Sequence, residues 1–115
     1  MSIKEALDDF AAGKFIIVTD DESRENEGDL IILAEKVTAE QTAFMVRYTT
    51  GILCVAIDKA TARRLELPMM YESNQDARKT AFTVSVDAAE GTTTGVSAIE
   101  RTRTINLLAA QTSLA

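Results

Sequence analysis

Apolar positions along this chain switch between a helical period of three to four and short strand-like runs, so helices and strands should interleave. Ile3, Ala6, Leu7 and Phe10 share one helical face; Ser2-Ile3-Lys4-Glu5 opens that helix as a capping box and Gly13 stops it. Phe15 to Thr19 is a β-branched and aromatic run, read as a buried strand, and Leu30 to Ala34 resumes as a second strand. Thr38-Ala39-Glu40-Gln41 caps a helix carrying Ala43, Phe44 and Val46 that ends before Gly51. Ile52 to Ile57 is a third strand. Asp58 then caps a short helix through Leu65, which must stop before Pro68. Met69 to Lys79 lacks periodicity and is expected as a loop. Thr80 to Asp87 alternates Phe82, Val84 and Val86 with hydroxyl residues, the pattern of a half-buried strand. Ser97-Ala98-Ile99-Glu100 caps a last helix whose apolar positions are Ile99, Ile105, Leu107 and Leu108.

These elements predict an α+β chain, a sheet flanked by helices with strands of mixed direction. No repeat, low-complexity tract or Pro/Gly/Ser linker divides the sequence, so residues 1–115 read as a single domain. Four visible strands are few for such a sheet, which is expected to be incomplete in this chain.

Charge changes the picture at one place. Six carboxylates and one arginine fall within Asp20 to Asp29, giving that stretch −5 of the chain's net −6. Carboxylates this close repel one another unless water, a substrate group or a cation screens them. A hard cation such as Mg²⁺ suits the donors, since it takes one or two carboxylate oxygens and keeps several waters. Most acidic runs are only solvated loops, and Glu22 and Glu27 are open to that reading. An EF-hand is excluded. With Gly28 at the sixth loop position the twelfth is Ala34, where a bidentate glutamate is required.

Composition removes other classes. A 46% apolar, 26% charged chain is ordinary for a soluble globular protein. One cysteine allows no internal disulfide and fits a reducing, cytoplasmic setting. No apolar run approaches a membrane span, the N-terminus is unlike a signal peptide, and no basic stripe suits nucleic acid. There is no histidine, which removes the commonest acid–base group and metal ligand.

The acidic run has a specific order: Asp20-Asp21-Glu22, then Arg24-Glu25-Asn26-Glu27-Gly28-Asp29-Leu30. Gly51-Ile52-Leu53-Cys54-Val55, Leu67-Pro68-Met69-Met70, Thr80 to Asp87, and Gly91 to Ala98 follow in sequence. In these segments the chain resembles the 3,4-dihydroxy-2-butanone-4-phosphate synthases of riboflavin biosynthesis. It resembles the N-terminal half of such an enzyme; the family's Pro-Gly-His and Gly-His-Thr-Glu segments would lie beyond Ala115. The resemblance implies a three-layer α/β/α fold with a mixed sheet and a homodimer with active sites near its interface. It also implies that ribulose 5-phosphate loses its fourth carbon as formate, with Mg²⁺ or Mn²⁺ holding sugar oxygens.

Carried over by position, Arg24 and Glu25 match the substrate-binding pair, with Glu25 also the Mg²⁺ ligand. Asp29 matches a further substrate-binding carboxylate, and Glu27 and Asp21 match acidic residues lining the site, so that Glu25, Glu27 and Asp21 are the catalytic candidates. Arg24 also has a physical logic, because a fixed cation keeps neighbouring carboxylates ionised. Thr93 and Thr94 lie in the Gly91-Thr92-Thr93-Thr94-Gly95-Val96-Ser97 turn, which the family uses near its substrate, making both substrate-binding candidates; hydroxyls and unpaired N–H groups at a helix start would also attract an anion. Residue type alone makes that stretch a capped turn. Cys54, on an apolar run, reads as a small buried hydrophobe, although the family often places a cysteine here near substrate. Arg101 and Arg103 fall on an exposed helix face by period. The competing reading is a catalytically silent module, truncated or paralogous, with a binding or assembly role.

Overall fold

The computed structural model describes residues 2–71 and 81–110. The chain folds as four helices and one two-stranded antiparallel sheet among these residues, an α+β arrangement. In order they are α1 (Ile3–Ala11), β1 (Ile16–Thr19), β2 (Gly28–Ile31), α2 (Ala39–Tyr48), α3 (Lys59–Arg64) and α4 (Ala98–Ala109).

Every helix starts where a side-chain oxygen satisfies an orphan N–H. Ser2 accepts from Glu5 N–H, Asp58 from Thr61 N–H and Ser97 from Glu100 N–H. Thr38 and Gln41 form a reciprocal capping box. The Asp58 carboxyl lies below its ordinary range because Thr61 donates to it. The α1 exit runs through Gly13, whose φ of +82° favours glycine. Lys36 Nζ donates to the Ala11 carbonyl at 2.8 Å and Gln41 Nε2 to that of Gly13 at 3.2 Å. These two bonds fasten the end of α1 to the first turn of α2 and to the connection before it.

The main contact between helices is α2 against α4, and it is polar at its centre. The hydroxyls of Thr42 and Thr102 lie 2.6 Å apart, both buried, and the Ala98 carbonyl is 2.7 Å from Thr102 Oγ1. Asn106 Nδ2 donates to the Ala34 carbonyl at 2.8 Å, tying α4 to the turn after β2. Val37, Ala88 and Ile105 are the buried apolar side chains among the described residues.

Several expected elements differ. The second strand runs Gly28–Ile31 rather than Leu30 to Ala34, because its partner has four residues and the ladder from Ile16↔Ile31 to Thr19↔Gly28 uses all of them. β1 is not buried: Ile17 is 72% exposed. Ile52 to Ile57 forms no ladder among the described residues, although Leu53, Val55 and Ile57 alternate inward with exposed neighbours. A strand pattern needs a partner to become a strand. Of Thr80 to Asp87, Thr80 lies outside the described residues, as do Glu72 to Lys79 of the expected loop. The described part pairs briefly: Met70 N–H donates to Phe82 O, Val84 N–H to Pro68 O, and Met69 bridges Thr83.

The expected apolar faces are largely bare. Ile3 (80% exposed) and Leu7 on α1, Phe44 and Val46 on α2, and Ile99 on α4 stand out, as do Phe82, Val84 and Val86. Phe44 keeps ring contacts with Phe15 at 5.3 Å and Tyr48 at 4.8 Å between centroids. Amphipathic period identifies a face that wants cover; it does not place the covering element.

Candidate active site: the acidic hairpin loop

The acidic run is the loop of the β1–β2 hairpin. β1 delivers Asp20 at one end and β2 begins at Gly28 at the other. Asp20 N–H donates to Glu27 O at 3.3 Å, extending the ladder beyond Thr19↔Gly28. Inside, the Asp21 carbonyl accepts from Arg24 N–H at 3.0 Å and Asn26 N–H at 3.4 Å. Asn26 sits at φ +52°, a left-handed position that asparagine tolerates better than most residues.

The Asp20 side chain organises the loop. Its Oδ2 accepts from Glu25 N–H at 2.8 Å and its Oδ1 from Glu27 N–H at 2.9 Å. Arg24 Nη1 lies 3.4 Å from Oδ2, and Arg24 Nη2 lies 3.3 Å from Glu25 Oε1. The Glu27 and Glu25 N–H donors, in that order, and then the Arg24 charge hold the Asp20 carboxyl below its ordinary range. Sequence reasoning matched Asp20 to the family pattern without giving it a task. The available signal was an aspartate closing a strand five and seven residues before two other acids, placed to accept from their N–H groups.

Four of the run's residues are thus tied directly: Asp20, Arg24, Glu25 and Glu27. Asp21 contributes its carbonyl while its side chain is exposed. Asp29 stands on β2 opposite Val18, outside the loop proper. Cys54 is an exposed free thiol, which corrects its reading as a buried hydrophobe; the unpaired 52–57 segment turns it outward. Thr93 and Thr94 lie before α4. There two of the turn's N–H groups are taken, since Thr93 and Gly95 N–H both donate to the Glu100 carboxylate. Arg101 and Arg103 are not idle surface: their Nε groups donate to the Val96 and Glu90 carbonyls. A shallow groove between α2 and α4, lined by Ala39, Ile99, Thr102, Arg103, Asn106 and Leu107, contains no carboxylate.

The donors in the acidic loop fit a hard, water-rich cation rather than a caged one. Among the described residues no group of three or more His, Cys, Asp or Glu side chains could hold an ion. Glu25 offers one carboxylate whose backbone is fixed by Asp20, and its neighbour Arg24 is shaped for an anionic oxygen. Mg²⁺ accepts one protein carboxylate with waters filling an octahedron.

The loop geometry is testable without substrate. Replacing Asp20 with Asn leaves at most one good acceptor for two N–H donors and removes the charge facing Arg24. Amide exchange at Glu25 and Glu27 is expected to accelerate about tenfold in that variant, while exchange in α4 stays unchanged. Unaltered exchange at both glutamates would remove Asp20 from the organising role.

Comparison with known proteins places the chain in a family. Residues 4–115 match the 3,4-dihydroxy-2-butanone 4-phosphate synthase family. The riboflavin biosynthesis protein RibBA of Chlamydia muridarum is 58% identical over 113 residues, covering 98% of this chain and 27% of that protein. RibBA of Rhodococcus jostii is 60% identical over 108 residues, 94% of this chain and 26% of its own length. Among solved structures, a 3,4-dihydroxy-2-butanone 4-phosphate synthase in complex with two magnesium ions superimposes with a TM-score of 0.96 at 47% identity. It covers 99% of this chain, which spans 53% of it. The Candida albicans synthase gives a TM-score of 0.86 at 48% identity, over 99% of this chain and 55% of its own. The chain therefore spans about a quarter of these curated relatives and about half of these solved synthases, and it belongs to the 3,4-dihydroxy-2-butanone 4-phosphate synthase family.

Proposed function

We propose that the protein carrying this chain converts ribulose 5-phosphate to 3,4-dihydroxy-2-butanone 4-phosphate and formate, a step of riboflavin biosynthesis. The observation that carries the reading is the hairpin loop in which Asp20 fixes the backbone of Glu25 and Glu27 beside Arg24, in a chain of this family. The reaction needs proton abstraction from a sugar carbon and charge stabilisation on the oxygens that become enediolate. Glu25 would hold Mg²⁺, or Mn²⁺ in its place, through its carboxylate. When bound, such an ion supplies Lewis-acid stabilisation to developing oxygen charge. Arg24 orients an anionic or hydroxyl oxygen of the sugar phosphate, and Asp29 accepts from its hydroxyls. Glu27 and Asp21 set the local negative potential and exchange protons. Cys54, Thr93 and Thr94 complete the substrate's surroundings. Ribulose 5-phosphate is the small-molecule partner.

The same reading gives the exposed apolar faces their cover. We take residues 1–115 as a single domain completed to a three-layer α/β/α fold around a mixed sheet, in a homodimer working in the cytoplasm. No helix of the described residues is long and apolar enough to cross a membrane.

Metal binding provides the direct test. Titration with Mn²⁺, read by calorimetry or water-proton relaxation, should show weak binding that Glu25→Gln reduces by about tenfold or more, the loss expected for a charged ligand. Equal binding by both proteins would take Glu25 out of the metal site.

A further inference from the structure

The turn before α4 holds an anion of the chain's own. Both Glu100 oxygens are approached by Thr93 N–H; Thr93 Oγ1 donates to Oε1 at 2.6 Å and Gly95 N–H to Oε2 at 3.2 Å. A reciprocal capping box would turn this carboxylate back to the Ser97 N–H. Instead it reaches across to the preceding turn, while Ser97 caps the helix through the Glu100 N–H at 3.1 Å. The turn is fastened around that contact. Ala88 N–H donates to Thr104 Oγ1 at 2.9 Å, Thr92 Oγ1 to Ala88 O at 2.6 Å, and Arg101 Nε to Val96 O at 2.7 Å. Gly91 and Gly95, at φ +76° and +77°, admit close neighbours: a Cβ would overlap Arg103 at the first and the Asp87 carboxylate at the second.

We infer that Glu100 is a positioning residue, whose carboxylate fills the donor-lined turn at residues 93–95, commits the Thr93 hydroxyl, and leaves Thr94 to face a ligand. Calling that ligand a sugar phosphate rests on the proposed synthase reading; the filling of the turn does not. Clustered backbone N–H donors attract phosphate, but in this turn the Thr93 and Gly95 N–H groups already donate to an anion anchored on α4. The Thr93 hydroxyl has one proton, and Glu100 takes it. Thr94 is exposed. The same donors, the Thr93 hydroxyl first, hold the Glu100 carboxyl below its ordinary range. A carboxyl with a lowered folded pKa contributes stability above its unfolded value and loses it as pH falls through the folded one. The Glu100 contacts therefore contribute fully at neutral pH, and that contribution is lost as pH falls below the usual glutamate range. The other charged groups around it are Asp87, Glu90, Arg101 and Arg103.

Amide NMR of the chain tests this. The Thr93 and Gly95 N–H resonances should move together with one acid midpoint below that of an ordinary glutamate. The movement should vanish in Glu100→Gln and persist in Asp87→Asn and Glu90→Gln. At neutral pH, inorganic phosphate should leave both resonances still in the wild type and shift them in Glu100→Gln. Phosphate that shifts them in the wild type, or amides that ignore pH in that window, would overturn the proposal. If Glu100→Gln does not fold, the wild-type pH and phosphate titrations still decide. Ribulose 5-phosphate with Mg²⁺ should shift Thr94 and leave the Thr93 hydroxyl bond in place; loss of that bond on binding also overturns it. Should the sugar phosphate disturb no residue even with the remaining family region supplied, the synthase reading is what fails, and the pH titration decides Glu100 by itself.

Discussion

Given ribulose 5-phosphate and Mg²⁺, the 115-residue chain alone is expected to release formate at a rate at least about a thousandfold below a complete synthase. Two physical losses set that figure. The sequence holds no histidine, and one positioned acid–base group is worth roughly 10²–10⁴ in rate. Arg24, Glu25 and Asp29 can engage one side of a metal–sugar complex, but groups that act as a unit lose far more than a proportional share when part is missing. The remaining family region, fused or supplied in trans, should restore formate release. In the restored protein Glu25→Ala should abolish it, because it removes the carboxylate proposed to hold the metal, on a residue whose N–H Asp20 fixes. Robust turnover by the chain alone would show that the catalytic groups have been misplaced.

The second large effect is association. Among the described residues seventeen large apolar side chains are exposed, while the buried apolar core is Val37, Ala88 and Ile105. Ile52 is 80% exposed on a segment whose backbone forms no ladder. Bare apolar faces and unpaired strand edges both favour self-association. Sedimentation at micromolar concentration should give dimers or larger species, reduced to a defined dimer when the remaining family region is added. A monodisperse monomer would mean that this chain is self-contained as it stands.

Local chemistry explains what could be read in advance. The starts of α1, α2, α3 and α4 were each legible from one capping residue, since a cap is satisfied within three residues of itself. The hairpin loop was legible as an acidic interruption between two apolar runs, and its order of residues carried the family. Strand pairing was less so. Phe15 to Thr19 and Leu30 to Ala34 read as strands, yet register made the second start at Gly28, placing Asp29 on β2 instead of in the loop. Ile52 to Ile57 has the alternation of a strand without a partner among the described residues.

The sequence by itself determined helix positions, the location of charge, the absence of histidine and the family, because these depend on residue identity and short spacing. Tertiary structure alone decided three other things. Asp20 became the organiser of the acidic loop because a hairpin brings the Glu25 and Glu27 N–H groups to one carboxylate. The α2–α4 contact buries the Thr42 and Thr102 hydroxyls against each other and leaves Ile99 outside, since a period marks a face without choosing its partner. Glu100 left its capping box for the Thr93–Gly95 turn because two N–H donors and a hydroxyl converge there, more than the single N–H of Ser97 could offer.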